Sequence, residues 1–327
     1  METVLLKAEE GIDAALCLLK KGEVVALPTE TVYGLAANAF SPSAVASLFQ
    51  AKGRPLSDPL ILHLLDASWL DLVVELDSSI KEVVLALGAA FWPGPLTLLL
   101  PRRETVADLV TAGLPHVALR VPFHPFFRKI LSKLKLPLAA PSANRFGHIS
   151  PTSASDVMAE LQGRIPLILD GGPCHYGVES TILRPFLDAQ GEMMLQILRP
   201  GPITASMLEP FGKVFSQSLH GQAPGSLESH YAPRKKLFWY QERVKWPVPK
   251  SKIGLLAFSK RITGFGALEV LSSQGDLREA AASLYGALRR LDESDVDFLL
   301  AQEVPPLGIG VAIMDRLQRA VSKKPFL

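Results

Sequence analysis

Short apolar segments alternate with amphipathic ones along most of this 327-residue chain, and that alternation restricts the folds open to it. The apolar segments favour buried strands, and the amphipathic ones favour helices with one buried face. Strands are predicted at 23–27, 59–65, 96–100, 117–121, 138–140, 167–170, 180–183 and 194–198. Helices are predicted at 41–52, 77–90, 125–134 and 153–161. The pattern therefore predicts a mixed α/β domain that ends near residue 207.

A turn-rich segment separates this domain from a second unit. Residues 208–236 lack hydrophobic periodicity, and residues 220–226 are dense in glycine and other turn formers. Beyond them, strands are predicted at 252–258, 267–271 and 296–301, and helices at 276–291 and 310–320. We expect an N-terminal domain over 1–207, a linker over 208–236 and a small C-terminal α/β domain with a parallel sheet over 237–327.

Composition and charge narrow the class of protein. Hydrophobic residues make up 48% of the chain and charged residues 20%, so both units can bury a core. Because the formal net charge is only +2, any nucleic-acid surface must be a local basic patch. Residues 83–101 carry no charge, but prolines and a glycine at 93–95 would break a membrane-spanning helix. With no signal peptide and two distant cysteines, the chain is expected to be cytoplasmic.

The sequence lacks the phosphate-binding P-loop motif, the dinucleotide-binding glycine motif and the zinc-protease and esterase motifs. Polar residues instead gather in loops next to predicted strands and helices, where functional groups tend to lie. Lys52 and Arg54 follow the end of a helix and could neutralise phosphate oxygens. Alternatively, these two cations could serve only to cap that helix.

Three further polar segments allow both a functional and a structural interpretation. Ser142 and Asn144 follow an apolar strand and could hold a phosphate or a base edge, or could form an ordinary turn. The glycine-containing loop at 171–181 could bring backbone N–H groups close to an anion. His63 lies inside a predicted strand and could bind a substrate or be a buried core histidine.

Together and in this order, these segments closely resemble the YrdC-like family. The resemblance spans roughly residues 10–207 and rests on residues 27–35 (Leu-Pro-Thr-Glu-Thr-Val-Tyr-Gly-Leu), 52–55, 91–97, 120–122, 141–144, 177–181 and 199–201. The tail resembles the long, two-domain form of the family, because 230–233 matches its linker motif and 315–320 its closing helix. The resemblance implies a twisted, mixed α/β sheet with a positively lined concave cavity, followed by a small Rossmann-like domain.

The resemblance also implies an enzyme, a nucleotidyltransferase that makes L-threonylcarbamoyladenylate and pyrophosphate from L-threonine, bicarbonate and ATP. Mg²⁺ would arrive with ATP, and neither a tightly bound cofactor nor a protein-bound metal is expected. A partner transferase complex would then place the threonylcarbamoyl group on adenosine 37 of tRNAs that read codons starting with A. Whether tRNA contacts this chain directly is left open. The chemistry requires clustered cations, oriented donors and exclusion of water, so no general base is assigned.

The family positions imply roles for individual residues. Those that match threonine-binding positions are Thr31, His63, Arg120 and Ser180, with Arg120 expected at the threonine carboxylate. The catalytic cations are Lys52 and Arg54. Those that match ATP-binding positions are Arg54, Asp58, Ser142, Asn144, Ser150, Arg199 and Tyr231. Because Tyr231 lies in the linker and matches a position that can close over the nucleotide, the linker is interpreted as a lid.

Two positions depart from the family pattern. Asp58 replaces an asparagine near the nucleotide, where a carboxylate would repel phosphate unless it pairs with a cation such as Arg54 or contacts Mg²⁺ or the ribose. His116 replaces a small hydroxyl residue. Both departures concern details of substrate contact rather than the reaction.

Two alternative functions remain open from the sequence. The first is an RNA-binding module without catalysis, which would hold duplex RNA or tRNA through phosphate contacts. The second is another carbamoyl-adenylate enzyme, such as the related domain of hydrogenase-maturation proteins. Those proteins carry acylphosphatase and zinc-finger segments that this sequence does not contain.

Overall fold

The structure, a computed structural model, describes residues 1–217, 231–242, 244 and 246–322. His230, which belongs to the predicted linker motif, lies outside the described residues. The strands are β1 Val4–Lys7, β2 Val25–Leu27, β3 Gly34–Asn38, β4 Ile61–His63, β5 Leu96–Pro101, β6 His116–Arg120, β7 Leu138–Ala139, β8 Leu167–Asp170, β9 Thr181–Leu187, β10 Met193–Arg199, β11 Lys213–Ser216, β12 Leu237–Trp239, β13 Ile253–Ala257, β14 Ala267–Val270 and β15 Phe298–Ala301. The helices are α1 Ala8–Lys20, α2 Pro42–Lys52, α3 Leu70–Val73, α4 Ser78–Phe91, α5 Asp108–Thr111, α6 Pro125–Leu134, α7 Ala154–Leu161, α8 Ala205–Leu208, α9 Leu277–Glu293 and α10 Gly310–Ala320.

Strands β1 to β11 form one large mixed sheet in the order β1-β8-β2-β3-β7-β4-β6-β5-β9-β10-β11. Helices α2, α4 and α7 cover one face through residues such as Leu48, Leu87 and Leu161. Helices α1 and α6 cover the other face through Leu16 and Leu131. Because β4 and β6 run parallel, His63 and Arg120 stand side by side at the ends of their strands. The sheet thus brings polar residues from distant parts of the sequence together at the ends of its central strands.

Local sequence signals place the basic segment that follows α2. The Ser41 hydroxyl accepts a hydrogen bond from the Ala44 N–H at 3.3 Å, and Pro42 occupies the first helical position. Gly53 caps the end of the helix, and its φ of 61° is a left-handed conformation that glycine adopts without strain. Lys52 therefore ends the helix, and Arg54 begins the loop towards β4.

The uncharged segment at 83–101 forms the end of α4, a turn and strand β5, as the sequence predicts. Within that turn, the Trp92 indole N–H donates to the Leu96 carbonyl at 2.7 Å. None of the helices in the described ranges combines the length and the apolar character that a membrane crossing requires.

The C-terminal part contains a four-stranded parallel sheet in the order β12-β15-β13-β14. Helices α9 and α10 contribute Leu288 and Ile313 to its core. The same apolar cluster includes Val32 and Val178, which lie in loops of the large domain, and Tyr231. The second domain is therefore packed against the first through a continuous apolar core.

The predicted fold class, a large twisted mixed sheet followed by a small Rossmann-like α/β domain, is confirmed. Strands β1, β3, β11 and β12 were not predicted. Each is short, and its strand character comes from pairing with distant partners such as β8 or β15 rather than from its own pattern. Strand β11 lies inside 208–236, the range that the sequence assigns to a linker, yet it pairs in parallel with β10.

Candidate active site

A cavity opens where the strand ends of the large sheet meet Tyr231, in the segment between the two domains. It contains about 560 Å³ of space, part of it open to solvent. Its polar lining side chains include Thr29, Thr31, Arg54, His63, Arg120, Ser142, Glu179, Ser180, Arg199 and Tyr231. Three guanidinium groups among several hydroxyls suit a ligand with carboxylate or phosphate oxygens.

Arg120 is the buried cation on the strand side of the cavity. Its Nη1 donates to Thr31 Oγ1 at 2.9 Å, and its Nε donates to the Gly94 carbonyl at 3.2 Å. Its Nη2 lies 2.5 Å from Glu30 Oε1 in a buried ion pair, although the angles at these atoms are poor for a hydrogen bond. Arg120 is thus fixed by three neighbours, and its charge is balanced by Glu30 before any ligand arrives.

His63 stands beside Arg120 as a neutral imidazole. Complete burial, reinforced by the charge of Arg120, lowers the pKa of His63 to about 3. The ring packs against Phe127 with a centroid distance of 5.0 Å. At neutral pH, His63 can therefore orient a ligand by hydrogen bonding but contributes no positive charge.

Ser180 is held between two strands of the sheet. Its hydroxyl lies 2.7 Å from Thr97 Oγ1, and Arg199 Nη2 donates to Ser180 Oγ at 3.1 Å. Arg199 Nε and Nη2 also donate to the Ser180 carbonyl, at 3.1 and 3.0 Å. The loop after Arg199 packs closely against the backbone at Thr181. A Cβ at Gly201 would lie only 2.3 Å from the Thr181 nitrogen. Only glycine allows this contact between the two loops.

Arg54 and Asp58 form a second buried ion pair on the cavity wall. Arg54 Nη2 lies 2.8 Å from Asp58 Oδ2 and donates to the Pro59 carbonyl at 2.8 Å, and Arg54 Nε donates to the Asp58 carbonyl at 3.1 Å. This pairing is one of the ways, foreseen from the sequence, in which a carboxylate at position 58 is tolerated. Asp58 therefore orients Arg54 and offsets part of its charge.

Lys52 lies behind the cavity wall and holds the neighbouring loop. Its Nζ donates to the carbonyls of Ser142 and Asn144, at 2.6 and 2.5 Å. Burial, followed by the charge of Arg54, holds the pKa of Lys52 well below its usual value. Asn144 Nδ2 in turn donates to the carbonyls of Arg145 and His148, at 2.8 Å each. Lys52 and Asn144 thus shape the loop that presents Ser142 to the cavity.

Glu179 is a buried carboxylate surrounded by donors. It accepts hydrogen bonds from the Ser150 hydroxyl at 2.6 Å, from the Tyr285 hydroxyl at 2.9 Å and from Arg316 Nε at 2.7 Å. Burial by itself would raise the pKa of Glu179, but the charges of Arg316 and Arg199 and these hydrogen bonds lower it to about 2. Glu179 is therefore a fixed anion in the wall of the cavity.

Tyr231 closes the cavity from the linker side. Its side chain is buried, and its backbone has a φ of 65°. The ring stacks on Tyr285 with a centroid distance of 5.9 Å and an interplanar angle of 23°, and Arg316 Cζ lies 5.2 Å from its centre. The C-terminal domain therefore supports the residue that covers one end of the cavity.

The structure brings most of the predicted site residues together. Those on the cavity wall are Thr31, Arg54, His63, Arg120, Ser142, Ser180, Arg199 and Tyr231. Those behind it, in contact with wall residues or their loops, are Lys52, Asp58, Asn144 and Ser150. His116 begins β6, at the opposite end of that strand from Arg120.

Sequence reasoning missed the residues that balance or position the predicted ones. Glu30 and Glu179 lie within the motifs at 27–35 and 177–181. An acidic residue in a motif set that is otherwise basic and polar was the signal that could have identified each as a charge partner. Arg316 lies within the recognised C-terminal segment 315–320, but nothing in the sequence pairs it with Glu179. Tyr285 lies on an amphipathic helix and gave no signal of its own. In the described part of the chain, no group of three or more His, Cys, Asp or Glu side chains is placed to hold a metal ion.

Two family models match the chain. The Sua5/YciO/YrdC model, described as "Telomere recombination", matches residues 17–201, and the model for the C-terminal domain of threonylcarbamoyl-AMP synthase matches residues 203–322. The threonylcarbamoyl-AMP synthase of Bacillus subtilis is 40% identical to the chain, with 94% of this chain and 92% of that protein covered. That of Pyrococcus abyssi is 35% identical, with 97% of both covered.

Solved structures agree with these similarities. The crystal structure of P. abyssi Sua5 complexed with L-threonine superimposes with a TM-score of 0.85 at 33% sequence identity. The comparison covers 97% of this chain and 97% of that one. The similarity thus extends over both domains of the chain.

Proposed function

The chain belongs to the Sua5/YciO/YrdC family, and from this premise we propose that it is a threonylcarbamoyl-AMP synthase. It uses L-threonine and ATP as substrates and acts as a nucleotidyltransferase. The observation that carries the proposal is near-full-length similarity to synthases, in a chain whose cavity holds three arginines among hydroxyl groups. Bicarbonate supplies the carbamoyl carbon, and pyrophosphate is the second product.

The threonine part of the site is proposed to lie on the strand side. Arg120 binds the carboxylate, because its guanidinium is held rigidly by Thr31, Gly94 and Glu30. His63 stays neutral and orients the substrate by a hydrogen bond. Thr31 and Ser180 contribute hydroxyl groups. Because His63 is neutral, it adds no second positive charge beside Arg120, whose own charge Glu30 balances.

The ATP part is proposed to lie between the basic loop and the linker. Arg54 and Arg199 bind phosphate oxygens, Ser142 contributes a hydroxyl, and Tyr231 covers the nucleotide. The other members of the set act from behind the wall, namely Lys52, Asp58, Asn144 and Ser150. Lys52 thereby supports catalysis by shaping the loop that carries Ser142.

The proposed reaction has two bond-forming steps. The threonine amine attacks the carbonate carbon and water leaves, and the resulting carbamate oxygen then attacks the α-phosphorus of ATP as pyrophosphate departs. Negative charge develops on phosphate oxygens, where fixed guanidinium groups stabilise it without reorganisation. The buried wall and the cover of Tyr231 limit the access of water, which protects the carbamate and the mixed anhydride from hydrolysis.

The proposed function also involves a metal ion, a partner complex and a division of the chain into domains. Mg²⁺ enters with ATP as part of the substrate. The product is passed to a transferase complex that modifies adenosine 37 of tRNA. We also propose residues 1–207 as the catalytic domain, 208–236 as linker and lid and 237–327 as the C-terminal domain, with pairing in the large sheet continuing to Ser216.

Release of pyrophosphate from ATP tests the function. We expect release to depend on both L-threonine and bicarbonate and to fall when serine replaces threonine. In the variant Arg54→Ala, ATP binding should be severely weakened, because the guanidinium lies on the cavity wall, while the fold persists at lower stability, because Asp58 loses its buried partner. Release without threonine dependence in a folded sample would contradict the proposal, as would normal ATP affinity in that variant.

The same samples address the non-catalytic alternative, which the similarity to named synthases does not favour. An RNA-binding module would bind duplex RNA with an affinity that falls steeply as salt increases and that threonine leaves unchanged. Comparison of threonine with carbamoyl phosphate as substrate separates the synthase from the related hydrogenase-maturation activity.

A further inference from the structure

The carboxylate of Glu179 belongs to the catalytic domain, but its ionic partner comes from the C-terminal domain. Arg316, on α10, places Nε 2.7 Å from Glu179 Oε2. Tyr285, on α9, donates its hydroxyl to both carboxylate oxygens, at 2.9 and 3.1 Å. The ion pair of Glu179 and Arg316 joins residues that are 137 positions apart in the sequence, and both side chains are buried. A buried pair of this kind fixes the geometry of both side chains.

The same guanidinium touches two further parts of the cavity. Arg316 Nη2 donates to the Pro200 carbonyl at 3.1 Å, in the loop that follows Arg199. Arg316 Cζ lies 5.2 Å from the centre of the Tyr231 ring, a cation–π distance. One side chain of the second domain therefore connects Glu179, the loop after Arg199 and Tyr231.

The charges of the cavity explain why this contact matters. Glu30 and Asp58 are each balanced by an arginine of the catalytic domain. Glu179 is ionised, and its ion-pair partner is Arg316, which also pairs with Asp315; the charge of Arg199 acts on Glu179 as well, but less strongly. Without Arg316, a buried carboxylate would stand beside Ser180 and Arg199, where it would repel the phosphates of ATP.

We propose that Arg316 is a positioning residue of the active site, which neutralises Glu179 and supports Tyr231 so that the cavity accepts ATP. The C-terminal domain then completes the nucleotide side of the site rather than only stabilising the fold. This inference rests on the proposed function, because the assignment of ATP to the side of Arg199 and Tyr231 belongs to it.

A purely structural role for Arg316 makes a different prediction from an electrostatic one. If Arg316 only joins the domains, removal of either partner of the ion pair should weaken ATP binding. If Arg316 acts by neutralising Glu179, the two single variants should change ATP affinity in opposite directions. Removal of both charges should then restore most of the affinity.

The experiment measures binding of a non-hydrolysable ATP analogue by calorimetry to the full chain and its variants. Arg316→Met should weaken binding about tenfold or more, in line with coupling between close charge pairs. Glu179→Gln should strengthen binding about threefold, because the cavity wall loses a negative charge near the phosphates while Arg316 keeps its ion pair with Asp315. The double variant should return to within about threefold of the unmodified chain, since no uncompensated buried charge remains.

A matched control comes from the same domain. Arg290 pairs with Glu269 near the surface, and neither residue lines the cavity, so Arg290→Met removes an arginine and an ion pair without changing the charges of the cavity wall. Its ATP affinity should match that of the unmodified chain. Arg316→Lys keeps the charge and should bind ATP better than Arg316→Met. Weaker binding in both Glu179→Gln and the double variant would overturn the proposal, even if Arg316→Met does not fold.

Pyrophosphate release, measured in parallel, separates this inference from the proposed function. Opposite shifts in ATP affinity without threonine-dependent turnover would support the role of Arg316 and contradict the synthase activity. Normal threonine-dependent turnover with equal ATP affinity in Arg316→Met would overturn the role of Arg316 alone. A chain that binds no ATP in any variant would overturn both.

Discussion

The strand side and the linker side of the cavity are built in different ways. On the strand side, Arg120 is held by Thr31, Gly94 and Glu30, all of which belong to the large domain. On the linker side, Tyr231 rests on side chains of the C-terminal domain. The first side is therefore a property of one sheet and its loops. The second exists only when the two domains are docked.

This difference assigns separate physical duties to the two domains. The strand side offers a fixed cation whose charge Glu30 already balances, which suits the proposed binding of the threonine carboxylate. The linker side depends on close packing between the two domains, as at Gly177. A Cβ at Gly177 would lie 2.5 Å from Ala282 Cα in α9. We therefore expect changes on the strand side to affect threonine, and changes at the domain contact to affect ATP.

The largest effect is expected on the strand side, from Arg120→Met. The substitution leaves Glu30 as an unpaired buried anion and removes the proposed carboxylate ligand, so the free energy of unfolding should fall by about 3–5 kcal/mol. Threonine-dependent pyrophosphate release should be lost, as measured beside urea unfolding. The double variant Glu30→Gln/Arg120→Met should regain stability but not threonine dependence.

The exposed pair of Arg102 and Asp108 provides the control for this substitution. Arg102→Met should change the free energy of unfolding by less than about 1 kcal/mol, because an exposed ion pair contributes little. Retention of threonine-dependent activity by a folded Arg120→Met protein would contradict the assignment of the strand side to threonine.

The next effect concerns the domain contact, through Gly177→Ala. Gly177 has a φ of 68°, and an added methyl group would overlap the backbone of α9. Strain and overlap together should lower the free energy of unfolding by about 3 kcal/mol. ATP affinity should fall at the same time, because Tyr231 and Glu179 depend on the docked domain. Thermal unfolding and calorimetric titration with an ATP analogue measure both quantities.

Gly113 isolates the part of this effect that comes from backbone strain alone. Its φ of 76° is similar, but no heavy atom lies within 4 Å of an added Cβ. Gly113→Ala should therefore lower the free energy of unfolding by only about 1 kcal/mol and leave ATP affinity unchanged. Equal losses in the two alanine variants would show that the close contact with α9 has no energetic weight.

The sequence predicts the two sides of the cavity unequally. Thr31, His63 and Arg120 could be found because each belongs to a compact motif near a predicted strand. The sequence could not show whether a side chain in such a motif points into the cavity or away from it. Lys52, predicted as a catalytic cation, donates to two backbone carbonyls behind the wall, where its place as the last residue of α2 directs it.

Contacts between domains were the least predictable from sequence. Glu179 and Tyr285 are 106 positions apart, and the helix pattern around Tyr285 specifies only that one face is buried. No local rule states which distant carboxylate that face will meet. Strand β11 shows the same limit, because its pairing with β10 rather than its own sequence makes it part of the sheet.

A third prediction uses pH to compare the two sides. The pKa of His63 is about 3 in the folded chain and near 6.5 when unfolded, so its contribution to stability is complete above pH 6.5 and is lost as the pH falls towards 3. At pH 5 this loss should amount to about 2 kcal/mol. Glu179, on the linker side, has a folded pKa of about 2, so its contribution is lost only below about pH 4.5.

Urea unfolding of the chain and of His63→Gln between pH 7 and pH 5 measures this difference. The variant should show a flatter dependence of unfolding free energy on pH. His116 and His124, whose pKa values burial also lowers, remain in both proteins and cancel in the comparison. Parallel curves for the two proteins would mean that His63 does not titrate as a buried neutral group.

The smallest effect is expected for substitutions of Tyr231, the residue that covers the linker side of the cavity. Tyr231→Ala removes the stacking on Tyr285 and the cation–π contact with Arg316, and ATP affinity should fall about tenfold while unproductive ATP hydrolysis rises. Alanine keeps a Cβ, so the backbone strain at a φ of 65° is not relieved and cannot mask the loss. Tyr231→Phe keeps the ring and should lose no more than about threefold in ATP affinity. Because Arg120 and His63 are held within the large domain, neither variant should alter the threonine concentration needed for half-maximal rate. A matching shift in that concentration would show that the two sides are coupled and that the division of duties between the domains is wrong.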